Sequence, residues 1–280
     1  MRWTPGGESG DIEDRRGSSG IGGAHIGIGG AIVLLVLSLI FHRNFFALFE
    51  GGSATTNQPA ATRPINETPQ EHREVQFVSF VLDDAQSTWN AALGPQYRHA
   101  KLVLFRDAIN SACGFAQAAS GPFYCPDDEK VYLDLGFFDE LRDRFAASGD
   151  FAQAYVITHE LGHHVQKVLG IEPRVHDLME QNPRRAKEYS ARLELQADCF
   201  AGVWGHSTAQ RNILESGDIE EGLNAASAVG DDRIQRMSGR RVNPESFTHG
   251  SSRERATWFR RGLESGRIED CDTFRGQVRQ

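Results

Sequence analysis

Apolar and polar positions alternate along this chain in two different periods, and each period predicts a different element. In "EVQFVSFVLDDAQSTWNAAL" the residues Val78, Val81, Leu82, Ala85 and Trp89 fall three or four positions apart, which predicts an amphipathic helix. The short run "KLVLF" suits a strand, and "KVYLDL" predicts a second one after the turn chemistry of "PDD". Helical spacing returns in "GFFDELRDRF" and again from Asp150 to Gly170, where Gly170 supplies a C-terminal stop. Beyond the breaker in "QNPRR", a helix is expected through "RAKEYSARLELQADCFAGVWGHS". Two more are expected in "IEEGLNAASAVGDDRIQRM" and in "SSRERATWFRRGLESG", the latter opened by serine and closed by glycine. Trp204, Trp258 and Phe259 keep helical spacing among apolar neighbours and read as core. The pattern predicts an α+β fold, mostly helical with a small N-terminal sheet.

Upstream the pattern changes. Residues 1–20 read as a polar N-terminal tail, and residues 21–41, "IGGAHIGIGGAIVLLVLSLIF", are long and apolar enough to predict one transmembrane helix. A cleaved signal peptide is the rival, but no small-residue cleavage site follows closely. Arg15 and Arg16 precede the run and Arg43 follows it, a bias that places the N-terminus in the cytoplasm and the rest outside. Residues 42–72 are rich in Gly, Ser, Thr, Asn and Pro and predict a flexible linker. One folded domain, 73–280, then remains, a size that a single core can serve.

Charge narrows the partners. With 38 acidic and 30 basic residues the net charge is −8, and no basic run exists to line a phosphate backbone, so nucleic acid is not expected. The four cysteines, Cys113, Cys125, Cys199 and Cys271, contain no C-x-x-C pair. They permit three disulfide pairings, which sequence alone does not separate. Cys113 with Cys125 and Cys199 with Cys271 is the favoured set, and four reduced thiols are the alternative.

The chemistry is concentrated in "THELGHHVQ". His159 and His163 lie four residues apart, so on a helix they share a face and can bind one ion, while Glu160 sits about 100° around the axis, within reach of an activated water. A catalytic zinc needs a third protein ligand and an open position. The longer pattern ending in a third histidine is excluded, because positions 166 and 169 hold Gln166 and Leu169. Glu194 and Asp198 share a helix face in "ELQAD"; Glu194 is the candidate third ligand and Asp198 the acceptor that fixes a ligand imidazole. The alternative is that both are solvated surface acids. His249, in "FTHGSSRER", is the candidate second donor to a transition-state oxyanion. Its alternative is an exposed loop histidine. His164 points off the metal face, and Arg253 and Arg255 are read as partners of acidic residues, with binding of a substrate carboxylate as the alternative.

"THELGHHVQ", "LELQADCFAGVW", "GPFYCPDDEKVYLD", "GDDRIQR" and "FTHGSSRERATWFRRGLESG", with the apolar amino-terminal run, resemble the bacterial neutral zinc metallopeptidase family over nearly the whole chain. The resemblance implies a single-pass protein of the bacterial inner membrane whose extracytoplasmic or periplasmic domain, 73–280, is zincin-like. It implies one Zn2+ held by His159, His163 and Glu194, with Glu160 as general base and a peptide or protein as substrate. The "E-x-x-x-D" segment is similar to gluzincin peptidases, in which the glutamate is the third zinc ligand. By the same resemblance the strand near Lys130 to Leu135 would be the edge strand that pairs with an extended peptide. Two other readings compete: a catalytically idle envelope scaffold, and a metal-dependent hydrolase of non-peptide amides.

Overall fold

The computed structural model describes residues 1–17, 65, 67–118 and 121–275. Met1–Arg15 and Asn66–Gln280 form one compact unit, and Arg16–Ile65 are a separate unit.

Among the described residues, strand β1 (Ile12–Asp14) comes first and the long helix α1 (Pro69–Leu93) second. A capping box starts α1: Thr68 accepts from the Glu71 backbone N–H, and the Glu71 carboxylate accepts from that of Thr68. Next come β2 (Lys101–Phe105), a hairpin of β3 (Ala108–Ser111) and β4 (Gly114–Gln117), then β5 (Phe123–Cys125) and β6 (Lys130–Asp134). The rest is helical: α2 (Gly136–Asp143), α3 (Asp150–Val168), α4 (Ile171–Gln181), α5 (Ala186–Gln210), α6 (Asp218–Ala228), α7 (Asp231–Met237) and α8 (Ser252–Ser265).

The main sheet has the order β1-β2-β6-β5, with β5 alone antiparallel. Its inner face, Leu102, Leu104, Val131 and Leu133, joins one core with Val78, Val81 and Leu82 of α1 and with Tyr155 and Leu161 of α3. Each such fully buried aliphatic side chain contributes roughly 1.5–3 kcal/mol. Two disulfides are formed, Cys113–Cys125 and Cys199–Cys271, as the favoured pairing had it.

The structure corrects several expectations. The single-pass arrangement and the membrane location drawn from it do not stand. Among the described residues no helix is long and apolar enough to cross a membrane, and residues 21–41 lie outside those described. There is also a topological reason. A single crossing between β1 and β2 would put them on opposite sides of a bilayer, yet Leu102 N–H donates to the Asp11 carbonyl and Arg15 N–H to that of Leu104, both at 2.8 Å. Residues 1–15 are accordingly part of the folded unit and not a loose polar tail. Helix α1 begins at Pro69, four residues inside the expected linker 42–72, most of which also lies outside the described residues.

Three further differences are smaller. Helix α4 was not foreseen. The single helix expected over "IEEGLNAASAVGDDRIQRM" is split at Gly230, where a Cβ would lie 2.3 Å from the Ser252 backbone nitrogen. Finally, β6 is an interior strand, and among the described residues the edge strand beside it is β5.

Candidate metal centre

Helices α3 and α5 cross where neither carries a bulky side chain. A Cβ on Gly162 would lie 2.9 Å from the Ala197 carbonyl oxygen, so glycine permits an approach that brings the His159–His163 face against Glu194 and Asp198. A second close approach joins α5 to α8, since a Cβ on Gly262 would lie 1.9 Å from the carbonyl oxygen of Cys199. That contact carries Arg255 to Asp198.

At the first crossing, the ligand atoms of His159, His163 and Glu194 all lie within 4.8 Å of one another. One Glu194 oxygen is 3.3 Å from His159 Nε2 and the other 3.4 Å from His163 Nε2. Two imidazole nitrogens and a carboxylate, open to a cavity on one side, are a donor set that suits Zn2+. The residues therefore fit the metal that the sequence implies.

Each imidazole is supported from behind. His159 Nδ1 donates to Asp198 Oδ1 at 2.9 Å, and the same oxygen accepts from the Tyr155 hydroxyl at 2.5 Å. Arg255 grips Asp198 with both prongs, Nη2 to Oδ1 at 2.9 Å and Nε to Oδ2 at 2.8 Å. Its guanidinium also lies 3.3 Å from both ring nitrogens of His159. His163 Nδ1 is 2.9 Å from Gln166 Oε1.

Without a cation the cluster holds protons. Burial is the largest influence on His159 and opposes its charge, as does Arg255, but the Asp198 charge and the hydrogen bonds to Asp198 and Glu194 together outweigh them and lift the pKa to about 9. Burial would raise the Glu194 carboxyl, yet the two imidazoles beside it hold it well below the usual carboxylate range. Asp198 is likewise held down, burial notwithstanding, by Arg255 and His159. Glu160, 8% exposed, goes the other way: burial pushes its carboxyl up against the opposing pull of His159 and His163.

The cluster opens into a cavity of about 580 Å3. Glu160 lines it beside the ligands, and His249 stands on its rim, half exposed. The Asp231 carboxylate accepts from the backbone N–H groups of Thr248 and His249, both at 2.7 Å, and lies 3.2 Å from His249 Nδ1. That hydrogen bond raises the His249 pKa and favours its donor form. Strand β5 forms one wall: Phe123 and Tyr124 line the cavity, and among the described residues β5 has a strand neighbour only in β6. At its Gly121 end lies Phe137, with Phe145, Val156, Val229 and Ile234 also lining the cavity.

All six candidate residues are thus gathered here, and Arg255 is an ion-pair partner, as its reading had it. His164 is wholly buried away from the cluster, between the Tyr124 hydroxyl and the Arg98 carbonyl, at 3.0 and 2.6 Å. Tyr155 and Gln166, which support the two imidazoles, are not among the candidates that the sequence offers. Both carried a usable signal, since Tyr155 is four residues before His159 and Gln166 three after His163, on the same helix face.

Comparison with other proteins agrees with the geometry. The protein named YpfJ in Escherichia coli K12, described as uncharacterized, is 47% identical over 98% of this chain and 99% of its own length. Uncharacterized proteins of Mycobacterium bovis (Mb2605) and Mycobacterium tuberculosis H37Rv (Rv2575) are each 41% identical over 69% of this chain and 68% of theirs. No solved structure matches. The profile of the family described as "Putative neutral zinc metallopeptidase" matches residues 1–274, and with that coverage the chain is a member of that family.

Proposed function

We propose that this protein is a zinc-dependent endopeptidase whose metal is held by His159, His163 and Glu194. The observation that carries the reading is the convergence of these three donors at one wall of a cavity that Glu160 also lines. When bound, zinc supplies Lewis-acid polarisation of a carbonyl and makes a water more acidic. Glu160 accepts the proton of the attacking water, and the same carboxyl then delivers it to the leaving amine. Burial of Glu160 raises its carboxyl above the ordinary range, which makes it a stronger acceptor for that proton. His249, kept in its donor form by Asp231, donates to the oxyanion.

Substrate orientation follows from β5. An extended peptide adds to this edge through main-chain hydrogen bonds, with side chains alternating toward and away from the cavity. The arm formed by Phe137, Phe145, Val156 and Ile234 then takes an apolar side chain near the scissile bond.

The test is an unbiased peptide library incubated with the zinc-loaded wild type and with Glu160→Gln. Cleavage by the wild type, reduced about 10²- to 10⁴-fold in the variant while zinc content is unchanged, is the expected result. Equal cleavage by both removes Glu160 from the chemistry, and cleavage by neither points to a non-peptide substrate or an idle site.

A further inference from the structure

The support behind His163 continues beyond Gln166. Gln166 is fully buried, and its amide is committed on both sides. Its Nε2 donates to the Leu193 carbonyl at 2.7 Å and to Gln196 Oε1 at 3.1 Å. A carboxamide nitrogen has two hydrogens, and both are now used. The oxygen is therefore the atom left to face His163, and an oxygen only accepts. His163 Nδ1 must carry the hydrogen, which leaves the Nε2 lone pair toward Glu194 and the cation site.

Gln196 is fixed in turn. Its Oε1 accepts from Gln166, so its Nε2 is the donor, and it donates to the Cys271 carbonyl at 3.0 Å. Cys271 is joined by its disulfide to Cys199, three residues after Gln196 on α5. The same carboxy-terminal segment is tied again where Arg192 Nη1 donates to the Thr273 carbonyl and the Thr273 hydroxyl donates to the Arg192 carbonyl, at 3.1 and 2.8 Å. Donor and acceptor roles alternate without conflict from Cys271 to Gln196, Gln166 and His163. Reversing either amide would set oxygen against oxygen.

We infer that Gln166 is a positioning residue for the metal ligand His163, and that Gln196 and the disulfide-held segment at Cys271 lock its orientation. The chain rests on the reading that His159, His163 and Glu194 hold a cation. What it adds is a selected tautomer of His163 and a dependence of metal retention on a contact outside the site.

The experiment measures zinc affinity of the full chain by chelator competition and the His163 ring nitrogen shifts by NMR. Gln166→Met is expected to weaken zinc binding about 10- to 100-fold, the usual cost of removing such a partner. Gln196→Met removes one of the two acceptors of the Gln166 amide and leaves the Leu193 carbonyl to hold it, so a smaller loss is expected, with the hydrogen still on His163 Nδ1. Ser79→Ala, which removes a buried hydrogen bond to the Val75 carbonyl, is a control for general destabilisation and should leave zinc affinity unchanged. Wild-type affinity in both glutamine variants, or a wild-type His163 carrying its hydrogen on Nε2, overturns the inference. Failure of the wild type to take up zinc at all overturns instead the cation reading beneath it.

Discussion

Behind His159 stands a buried carboxylate that receives four hydrogen bonds from Tyr155, His159 and Arg255, whereas behind His163 stands a neutral amide. The two imidazoles meet the same Glu194 at nearly equal distances, so the difference lies in how each is held and not in where it sits. An anion with a fully buried guanidinium partner raises the basicity of its imidazole and makes the fold depend on the pair. An amide fixes orientation without changing charge. One support therefore ties metal binding to stability and protonation, and the other ties it to geometry.

The comparison breaks most directly at Asp198. Asp198→Asn leaves the Arg255 guanidinium buried without its anion, so unfolding in chelator should show a loss of about 3–5 kcal/mol. Gln166→Met removes neutral hydrogen bonds and should cost about 1–3 kcal/mol in the same measurement. Equal losses would mean that the two supports are alike. Ser251→Ala, which removes the capping box of α8 and loosens Arg255 only at a distance, should cost about 0.5–2 kcal/mol. Its effect on zinc affinity should be the smallest of the three.

Protonation sharpens the same contrast. The metal-free protein holds His159 at about 9, above the ordinary 6.5, so this group's stabilising contribution is complete below about pH 6.5 and is lost as pH rises through about 9. Zinc competes with that proton, so its apparent affinity should climb over the same interval. Denaturation and chelator titrations between pH 6 and 10 should show a shallower slope in Asp198→Asn and an unaltered one in Gln166→Met.

Much of this was legible because it is local. The period of "THELGHHVQ" places His159 and His163 on one face whatever surrounds them, and Ser251 and Glu254 announce the start of α8 within four residues. What escaped was long-range or too short to carry a period. Strand β1 is three residues long and has meaning only beside β2; β5 is three residues long and becomes an edge only because β6 lies inside the sheet. The apolar run at 21–41 suggested a bilayer crossing because its composition is local information, while the pairing of β1 with β2 that contradicts a single crossing is not.

The amino-acid order by itself determined most of the helices, the serine cap of α8, the shared face of His159 and His163, and a Glu194–Asp198 pair one turn apart, since each follows from positions within a few residues. Only the tertiary structure decided that Glu194 lies against both imidazoles, that Arg255 neutralises Asp198, and that Gln166 turns its oxygen to His163. Those outcomes depend on helices closing to backbone contact at Gly162 and Gly262, and nothing in the local pattern states which surfaces will meet.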